Sequence, residues 1–431
     1  MNIKEWFRLL VVRIVTLQAK AILKKYKPKV IEVTGSVGKT STKDAVYTAL
    51  SDHFFVRKSE KSFNSDVGVP LTILGVPNGW ANPVQWLRNI VDGFALLIIR
   101  APYPKWLVVE VGADRPGDIS KSLTWLVPNV VVATRFPDVS VHVEYYDSKE
   151  AVIEEELSPA RLLASGGTYV FNGDDENASA FQTAPGVKRI SYGLKKEFDV
   201  HASRFHVSTH AHVPTGISFD IHAGNEKVHI ILLGVIGQQQ VYSTLAGVAV
   251  AISQGLTLEK AVKAFATHES PAGRMKIILG TKHSTLIDDT YNASPVATEE
   301  ALKALKDVPR VGRRIAVLAD MMELGSFSVS EHERIGKMVL ESADMLVTVG
   351  VRARGIAEGA LSSGMDSTNI FQFERGADAM SHLLSVVGEG DVVLIKGSQS
   401  MRMERVVKSL MAEPEKAKDL LVRQDAEWLM R

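Results

Sequence analysis

The 431-residue sequence contains no cysteine, and its charges nearly cancel, with 50 Lys and Arg residues against 49 Asp and Glu residues. Without cysteine, the chain can form neither a disulfide framework nor a thiolate zinc site, and it has no thiol nucleophile. A formal net charge of +1 gives no overall attraction to nucleic acid, so we expect no nucleic-acid partner. The absence of cysteine also fits a cytoplasmic protein.

The sequence also lacks an apolar run of the roughly 20 residues that a membrane-spanning helix needs. The apolar stretch near the N-terminus is interrupted by Arg8 and Arg13. The stretch of residues 84–99 is interrupted by Arg88 and Asp92. Both stretches therefore predict helices that do not cross a membrane.

Residues 1–29 carry eight Lys or Arg residues and one acidic residue, with apolar side chains at helical spacing. This pattern predicts a basic amphipathic helix. We expect this helix and the 84–99 helix to pack on the body of the protein. The alternative is a peripheral membrane contact, in which the two helices lie on an anionic membrane with Trp6, Phe7, Trp86 and the basic side chains as anchors. The cytoplasmic protein would then be membrane-associated.

The rest of the chain has an ordinary globular composition, since 45% of all residues are apolar and 23% are charged. Short β-branched runs alternate with helical patterns, which predicts an α/β fold with a parallel sheet covered by helices. The first predicted strands cover residues 30–33, 107–111, 130–133 and 169–172. Residues 199–233 alternate in polarity and predict antiparallel hairpins added to that sheet. After Pro271 the alternation of strand and helix patterns resumes, with predicted strands at residues 285–287, 315–318, 345–349 and 392–395.

The strongest chemical signal lies between the first predicted strand and a helical pattern. It reads Gly35, Ser36, Val37, Gly38, Lys39, Thr40 and Ser41. Glycines allow the backbone to curl so that its N–H groups and the helix N-terminus face a phosphate, while the lysine reaches the terminal phosphates and the hydroxyl ligates magnesium. A glycine-rich turn can also be purely structural, but its position and the attached Lys-Thr-Ser predict nucleotide binding.

This loop is shorter than the usual P-loop and is similar to that of the Mur ligases. Seven further sequence motifs, in the same order as in that family, extend the resemblance along nearly the whole chain. They begin at Phe63, Glu110, His142, Gly273, Asp288, Asp320 and Lys396. They most resemble the branch that adds D-alanyl-D-alanine to a muramoyl tripeptide. The resemblance implies a central P-loop ATPase domain with the added β segment, followed by a Rossmann-like C-terminal domain that closes over the site.

The resemblance implies an ATP-dependent ligase that forms an amide bond through an acyl phosphate, with ATP and Mg²⁺ as cofactors and a small molecule or peptide as substrate. The implied residues of the nucleotide loop are Gly35, Ser36, Gly38, Lys39, Thr40 and Ser41. Lys39 would hold the terminal phosphates, Thr40 and Glu110 would ligate the first magnesium, and His142 would ligate a second metal. The alternative for Glu110 is a strand-end carboxylate that caps a helix, and the alternative for His142 is a structural role.

One departure from the pattern concerns the carboxylate that supports the second metal. The family generally has a carbamylated lysine about fourteen residues after the histidine, but counting from His142 leads to Glu156. A glutamate already offers oxygen ligands suited to magnesium. We therefore expect Glu156 to replace the modified lysine as a catalytic residue and metal ligand. The alternative is that residues 154–156 form a solvated acidic helix face.

Other residues are implied by their positions in the pattern. Gln240 stands where the pattern has an asparagine, so we expect it to contact the adenine or ribose of ATP. Arg274 is a phosphate-facing candidate. Asp288, Tyr291 and Asn292 are candidates for contacts to the ribose and for the linker region, although Asp and Asn can also serve only to form turns.

The implied substrate-binding residues are Asn64, Asp66 and Lys396. Members of this branch carry a separate N-terminal domain that grips the UDP-muramoyl group, whereas here the glycine-rich loop begins about thirty residues from Met1. We expect that another part of this protein or a partner protein supplies that grip, or that a different carboxylate is the substrate.

We expect three parts: a basic amphipathic helix (residues 1–29), a central ATP-binding domain (30–270) and a C-terminal domain (271–431). The predicted function is the addition of D-alanyl-D-alanine or an amino acid to a cell-wall peptide precursor. One alternative is a ligase for a non-muramoyl carboxylate, as folylpolyglutamate and cyanophycin synthetases are. Another is a non-catalytic nucleotide-binding module at the membrane.

Overall fold

The computed structural model describes residues 3–60, 67–80, 82–113, 115–123, 125–140, 142–309 and 311–430. Within these ranges the chain forms two β-sheets, one after the other in sequence, and each has helices packed on it. In the same ranges, no helix combines the length and the hydropathy that crossing a membrane requires.

The first sheet contains nine strands in the described residues. They are β1 (Lys29–Thr34), β2 (Val56–Lys58), β3 (Trp106–Glu110), β4 (Val130–Ala133), β5 (Thr168–Asn172), β6 (Lys188–Gly193), β7 (Val200–His210), β8 (Val213–Ala223) and β9 (Glu226–Leu233). Their spatial order is β2-β3-β1-β4-β5-β6-β7-β8-β9. Pairing is parallel from β2 to β7 and antiparallel from β7 to β9.

The second sheet contains six strands in the described residues. They are β10 (Lys276–Leu279), β11 (Thr285–Asp289), β12 (Arg314–Ala319), β13 (Met345–Val349), β14 (Ile370–Phe373) and β15 (Val392–Lys396). The order is β10-β11-β15-β12-β13-β14, and all neighbours are parallel except β10 and β11.

The α-helices of the described residues connect these strands and flank the sheets. They are α1 (Ile3–Tyr26), α2 (Lys39–Ser51), α3 (Gly68–Leu74), α4 (Pro83–Ile98), α5 (Asp118–Leu123), α6 (Lys149–Arg161), α7 (Glu176–Ala180), α8 (Gln239–Ser253), α9 (Leu258–Lys263), α10 (Pro295–Asp307), α11 (Ser328–Ser342), α12 (Arg354–Ser362), α13 (Gly376–Val386), α14 (Glu404–Leu410), α15 (Ala417–Leu420) and α16 (Ala426–Leu429).

The central strands are mostly apolar because helices cover both of their faces, although β1 also carries the buried Glu32. On one face of the first sheet, α2 and α8 pack on Ile31 and Val33, and on the other face α1 and α3 pack on Val30. The second sheet is enclosed in the same way, by α10, α11 and α12 on one face and α13 and α14 on the other. The predicted α/β class, its parallel sheet, the added antiparallel segment and the second sheet are thus confirmed.

Helix α1 is held on the protein by residues spaced four, four and three apart, namely Val11, Val15, Ala19 and Ile22. This spacing places them on one side of the helix, where they pack against α3 and the first sheet. Helix α1 also packs against α4. The opposite side of α1 faces solvent.

Candidate active site

The glycine-rich loop, residues 35–39, forms a curled turn between β1 and α2, which we call the cradle. Gly35 and Gly38 have φ angles of 122° and 88°, a conformation that favours glycine because a side chain would be strained there. Gly38 directly precedes α2, and a Cβ atom built on it would meet no described atom within 4 Å. The space beside Gly38 at the positive end of α2 is therefore open, which fits an anionic phosphate group. The N–H groups of Ser36 and Val37, which the sequence analysis expected to face a phosphate, instead donate to the Arg135 carbonyl.

Lys39, the first residue of α2, lies folded back over this cradle. Its ammonium group donates a hydrogen bond to the carbonyl of Gly35 and lies 3.5 Å from Oε1 of Glu156. The hydroxyl of Ser36 donates to the other carboxylate oxygen of Glu156 and lies 3.0 Å from the Ser140 hydroxyl. Two of the predicted groups, the loop lysine and Glu156, are therefore brought together.

The three consecutive glutamates of α6 have different surroundings. Glu156 is only 4% exposed and reaches the cradle. Glu155 accepts hydrogen bonds from the backbone N–H groups of Ile119 and Ser120, at the start of α5. Glu154 is exposed and pairs with Arg161. The acidic run is thus not a uniformly solvated face, and the residue reached by counting from His142 is the one at the cradle.

Glu110 ends β3, the strand that pairs with β1 beside the cradle. It is 2% exposed, and its Oε2 atom has no hydrogen-bond partner among the described residues. Such an unsatisfied buried carboxylate oxygen costs free energy unless a ligand supplies a partner. Together with the buried hydroxyl of Thr40, it offers the hard oxygen ligands that magnesium prefers.

The predicted metal residues do not form a compact cluster. Across the described ranges, no three His, Asp or Glu side chains lie close enough together to hold a metal ion by themselves. His142 has a φ angle of 71°, and its Nδ1 atom lies 2.6 Å from Oε2 of Glu323. Because Glu323 follows β12, His142 contacts the part of the chain that carries the second sheet. Its role as a metal ligand stays a prediction.

Arg274 connects the segment before β10 to the cradle. Its guanidinium group lies 4.1 Å from the centre of the Tyr291 ring, and its Nη2 atom lies 3.4 Å from the Thr40 hydroxyl. Gln240 fixes this segment, since its amide donates to the Arg274 carbonyl at 3.0 Å and accepts from the Ser270 hydroxyl at 3.3 Å. The structure therefore gives Gln240 contacts to the linker, and its predicted contact to the nucleotide stays a prediction.

Asp288 lies at the end of β11 and is fully buried. One of its oxygens accepts two hydrogen bonds from Thr290, and burial raises the pKa of Asp288 to about 6. The side chain of Asn292 accepts from the backbone N–H group of Ala293. Asp288 and Asn292 thus shape the loop that carries Tyr291.

Lys396, predicted to bind substrate, is 2% exposed. Its ammonium group lies 2.5 Å from the Asp289 carboxylate and donates to the Asn292 carbonyl at 3.0 Å. The structure thus gives Lys396 an internal ion pair. Asn64 and Asp66, the other two predicted substrate residues, lie outside the described residues.

A small cavity beside the cradle contains residues that the sequence analysis missed. Its lining combines strands, loops and helices of the first sheet with one residue of α10: Val37, Gly38, Thr42, Thr134, Arg135, Asn172, Tyr192, Gln239, Tyr242, Ser243 and Glu300. Arg135 and Glu300 form an ion pair across it, and burial raises the pKa of Glu300. These two residues are far apart in the sequence and belong to no recognisable motif, so sequence spacing gives no signal for them.

Two family models match the chain. The Mur ligase middle domain matches residues 94–251, and the Mur ligase glutamate ligase domain matches residues 273–399. The chain belongs to the Mur ligase family. This confirms the resemblance drawn from the ordered motifs, and with it the assignment of the chain as a Mur-type enzyme.

Individual relatives match this Mur ligase along most of its length. The UDP-N-acetylmuramoyl-tripeptide–D-alanyl-D-alanine ligase of Bacillus subtilis is 26% identical over 408 residues, which are 92% of this chain and 79% of the relative. The Escherichia coli enzyme of the same name is 26% identical, over 89% of this chain and 76% of its own. Among solved structures, the MurF ligase of Thermotoga maritima in complex with ADP superposes with a TM-score of 0.76 at 24% identity, over 94% of this chain and 84% of its own. This last likeness supports the fold.

Proposed function

We propose that this Mur ligase uses ATP to form an amide bond, adding D-alanyl-D-alanine or an amino acid to the carboxylate of a cell-wall peptide precursor. The observation that carries the proposal is an open phosphate cradle that lies beside the unsatisfied carboxylate of Glu110 and is reached by Arg274. The names of the relatives that match 89–92% of the chain support the substrate class.

In the proposed reaction, an oxygen of the substrate carboxylate attacks the γ-phosphorus of ATP, and the bond from that phosphorus to the bridging oxygen breaks to release ADP. The amine nitrogen then attacks the carbonyl carbon of the acyl phosphate. The C–O bond to the phosphoryl group breaks, inorganic phosphate leaves, and the nitrogen gives up a proton to solvent. The first step brings two anionic groups together, and in the second step negative charge develops on the carbonyl oxygen, so the protein has to offset negative charge in both.

Two positively charged side chains, Lys39 and Arg274, have defined roles in this reaction. Lys39 leaves the carbonyl of Gly35 and contacts the transferred phosphoryl group, where its positive charge offsets the charge of that group. Arg274 brings a second positive charge from the segment before β10. Glu110 and Thr40 would hold a magnesium ion, which neutralises phosphate charge when bound.

For Glu156 we propose the role that a carbamylated lysine generally has in the family. In place of a carbamylated lysine, its own carboxylate would support the cations of the site. Its burial, its 3.5 Å approach to Lys39 and its bond from Ser36 support this assignment. Because a glutamate needs no carbon dioxide to be anionic, the proposed enzyme works without bicarbonate.

The proposal is tested by measuring ADP release from the full-length protein. Muramoyl peptides, with and without the UDP group, would serve as carboxylate substrates, and D-alanyl-D-alanine and single amino acids as amines. We expect ADP release that requires both a carboxylate and an amine, with an amide product of the matching mass. Nucleotide binding without turnover for every pair would contradict a ligase. Turnover only with pteroyl or other non-muramoyl carboxylates would contradict the cell-wall substrate.

A further inference from the structure

An apolar stripe runs along the exposed side of α4. Five large apolar residues, spaced three and four apart, are between 51% and 82% exposed: Val84, Leu87, Val91, Phe94 and Ile98. At 100° per residue, these positions fall within an arc of about 80° on the helix surface. Scattered apolar residues on a surface are ordinary, but five on one side of one helix form a continuous patch.

The exposed side of α1 extends this patch. Trp6, Leu9, Leu10 and Leu17 are between 39% and 58% exposed, whereas the opposite side of α1 is buried in the core. The two helices run side by side in the same direction, because Gln18 contacts Ile90 and Lys25 contacts the last turn of α4. We call the α4 stripe together with these four residues of α1 the apolar face.

Contacts with α1 hold α4 in one orientation. The amide of Gln18 donates to the Ile90 carbonyl at 2.8 Å and sits where a Cβ atom on Gly93 would collide with it. The ammonium of Lys25 donates to the carbonyls of Leu96 and Ile99 at 2.8 and 2.9 Å, which satisfies the C-terminal end of α4. With α4 fixed in this way, its apolar stripe remains on the surface.

Charge on these helices differs from that of the whole chain. Helices α1 and α4 contain seven Lys or Arg residues and two acidic residues, whereas the complete chain has a net charge of only +1. Arg13, Lys20 and Lys24 are all exposed on α1. Large apolar side chains beside a basic surface are typical of helices that lie in the interface of an anionic bilayer.

We propose that the apolar face docks on an anionic membrane surface, with Leu87 and Phe94 entering the acyl boundary and Arg13 and Lys24 contacting lipid phosphates. Membrane docking goes beyond the ligase reaction and does not depend on it. A second copy of the chain fits this face less well, because self-association would bring two basic surfaces together. Of the anchors suggested by the sequence, Trp86 is only partly exposed and donates its indole N–H to the Trp80 carbonyl, so it is not one of the inserting residues. The side chain of Phe7, another of these anchors, lies outside the described part of the structure.

The experiment is vesicle flotation of the full-length protein. One set of vesicles contains phosphatidylcholine with phosphatidylglycerol, and the other contains phosphatidylcholine alone. We expect binding to the anionic vesicles, weakened by high salt because the lipid charge is then screened. The double variant Leu87→Ser/Phe94→Ser should lower the partition coefficient by at least about tenfold. Arg13→Gln/Lys24→Gln should lower it on anionic vesicles only.

The matched control is Val329→Ser/Leu361→Ser, which removes two exposed apolar side chains of the second domain. This control and the apolar-face variant should both keep the thermal melting temperature and the ADP release of the parent. Three results would overturn the proposal. They are absence of vesicle binding by the parent, equal binding by the two serine double variants, and a parent dimer that the Leu87→Ser/Phe94→Ser change dissociates without any vesicle binding.

Discussion

The two sheets both present polar side chains at the carboxyl ends of parallel strands, but the groups at the two edges are in different states. Each edge has a buried carboxylate oxygen without a partner among the described residues, on Glu110 and on Asp288, but the two lysines differ. At the first edge, the side chain of Lys39 is 15% exposed and its ammonium lies 3.5 Å from the Glu156 carboxylate. At the second edge, Lys396 is 2% exposed and its ammonium lies 2.5 Å from the Asp289 carboxylate.

The difference in exposure and pairing between Lys39 and Lys396 indicates different roles. Lys39 can take up a ligand, whereas Lys396 holds a loop in place. Rearranging the first edge costs little, because Lys39 is held by one carbonyl and a distant carboxylate, and a phosphate can replace both. Rearranging the second edge would break a buried ion pair, which is strongly destabilising when one partner is left uncompensated. We therefore expect catalysis at the first edge and support of the Tyr291 loop at the second.

Replacing the lysine of the first edge should have the largest effect on turnover. In Lys39→Ala, a charge that stabilises the transferred phosphoryl group is missing, so ADP release should fall by at least about a thousandfold. The free energy of unfolding should fall by less than on removal of Lys396, because Glu156 keeps its hydrogen bond from Ser36 when the 3.5 Å ion pair with Lys39 is lost. Steady-state ADP release and urea unfolding measure the two effects. Near-normal turnover by the folded variant would contradict the assignment of the cradle as the ATP-binding site.

Replacing the lysine of the second edge should affect mainly stability. Lys396→Met leaves the Asp289 carboxylate buried without its partner, which should cost about 3–5 kcal/mol in the free energy of unfolding. The double variant Lys396→Met/Asp289→Asn should recover most of this loss, because the uncompensated charge is gone. Urea unfolding of the parent and both variants checks this. If Lys396→Met instead raised the KM for a substrate at unchanged stability, Lys396 would belong to the binding site.

Asp288 provides a pH test of the second edge. Because burial raises its pKa to about 6 from an ordinary value of 3.8, the folded protein holds this proton more tightly than the unfolded chain does. The resulting stabilisation is fully present below about pH 4 and is lost as the pH rises through 6, a change of about 3 kcal/mol. Asp288→Asn should remove this dependence, so the variant should gain stability relative to the parent between pH 4 and pH 8. A stability difference that stays constant over this range would contradict the shifted pKa.

Much of the fold could be predicted because its central strands are mostly apolar and alternate with helices. The strands that the sequence analysis missed include β2, β10 and β14, which lie at sheet edges. Edge strands are short and tolerate charge, as in the Val-Arg-Lys sequence of β2, so their apolar pattern is weak.

The candidate site divides in a similar way. The cradle could be predicted because its glycines, lysine and hydroxyl are neighbours in the sequence. The ion pair of Arg135 with Glu300 could not, since it joins residues brought together only by the contact of the two domains. The direction of each α6 glutamate depends on where that helix begins, at its Ser148 cap, and on how it packs against β1.

The α6 glutamates therefore allow a finer test within the first edge. Glu156→Gln keeps the size of the side chain and its ability to accept a hydrogen bond from Ser36, but it removes the charge near Lys39. We expect turnover to fall by about tenfold to a hundredfold, with a higher magnesium requirement and little change in melting temperature. Glu154→Gln is the matched surface control, and Glu155→Gln should act only on stability, through the start of α5.

Activity of the parent should not depend on added bicarbonate, whereas Glu156→Lys should be inactive without it and partly restored by it if the new lysine is carbamylated. Impairment of turnover by Glu155→Gln with a silent Glu156→Gln would show that the wrong glutamate has been assigned.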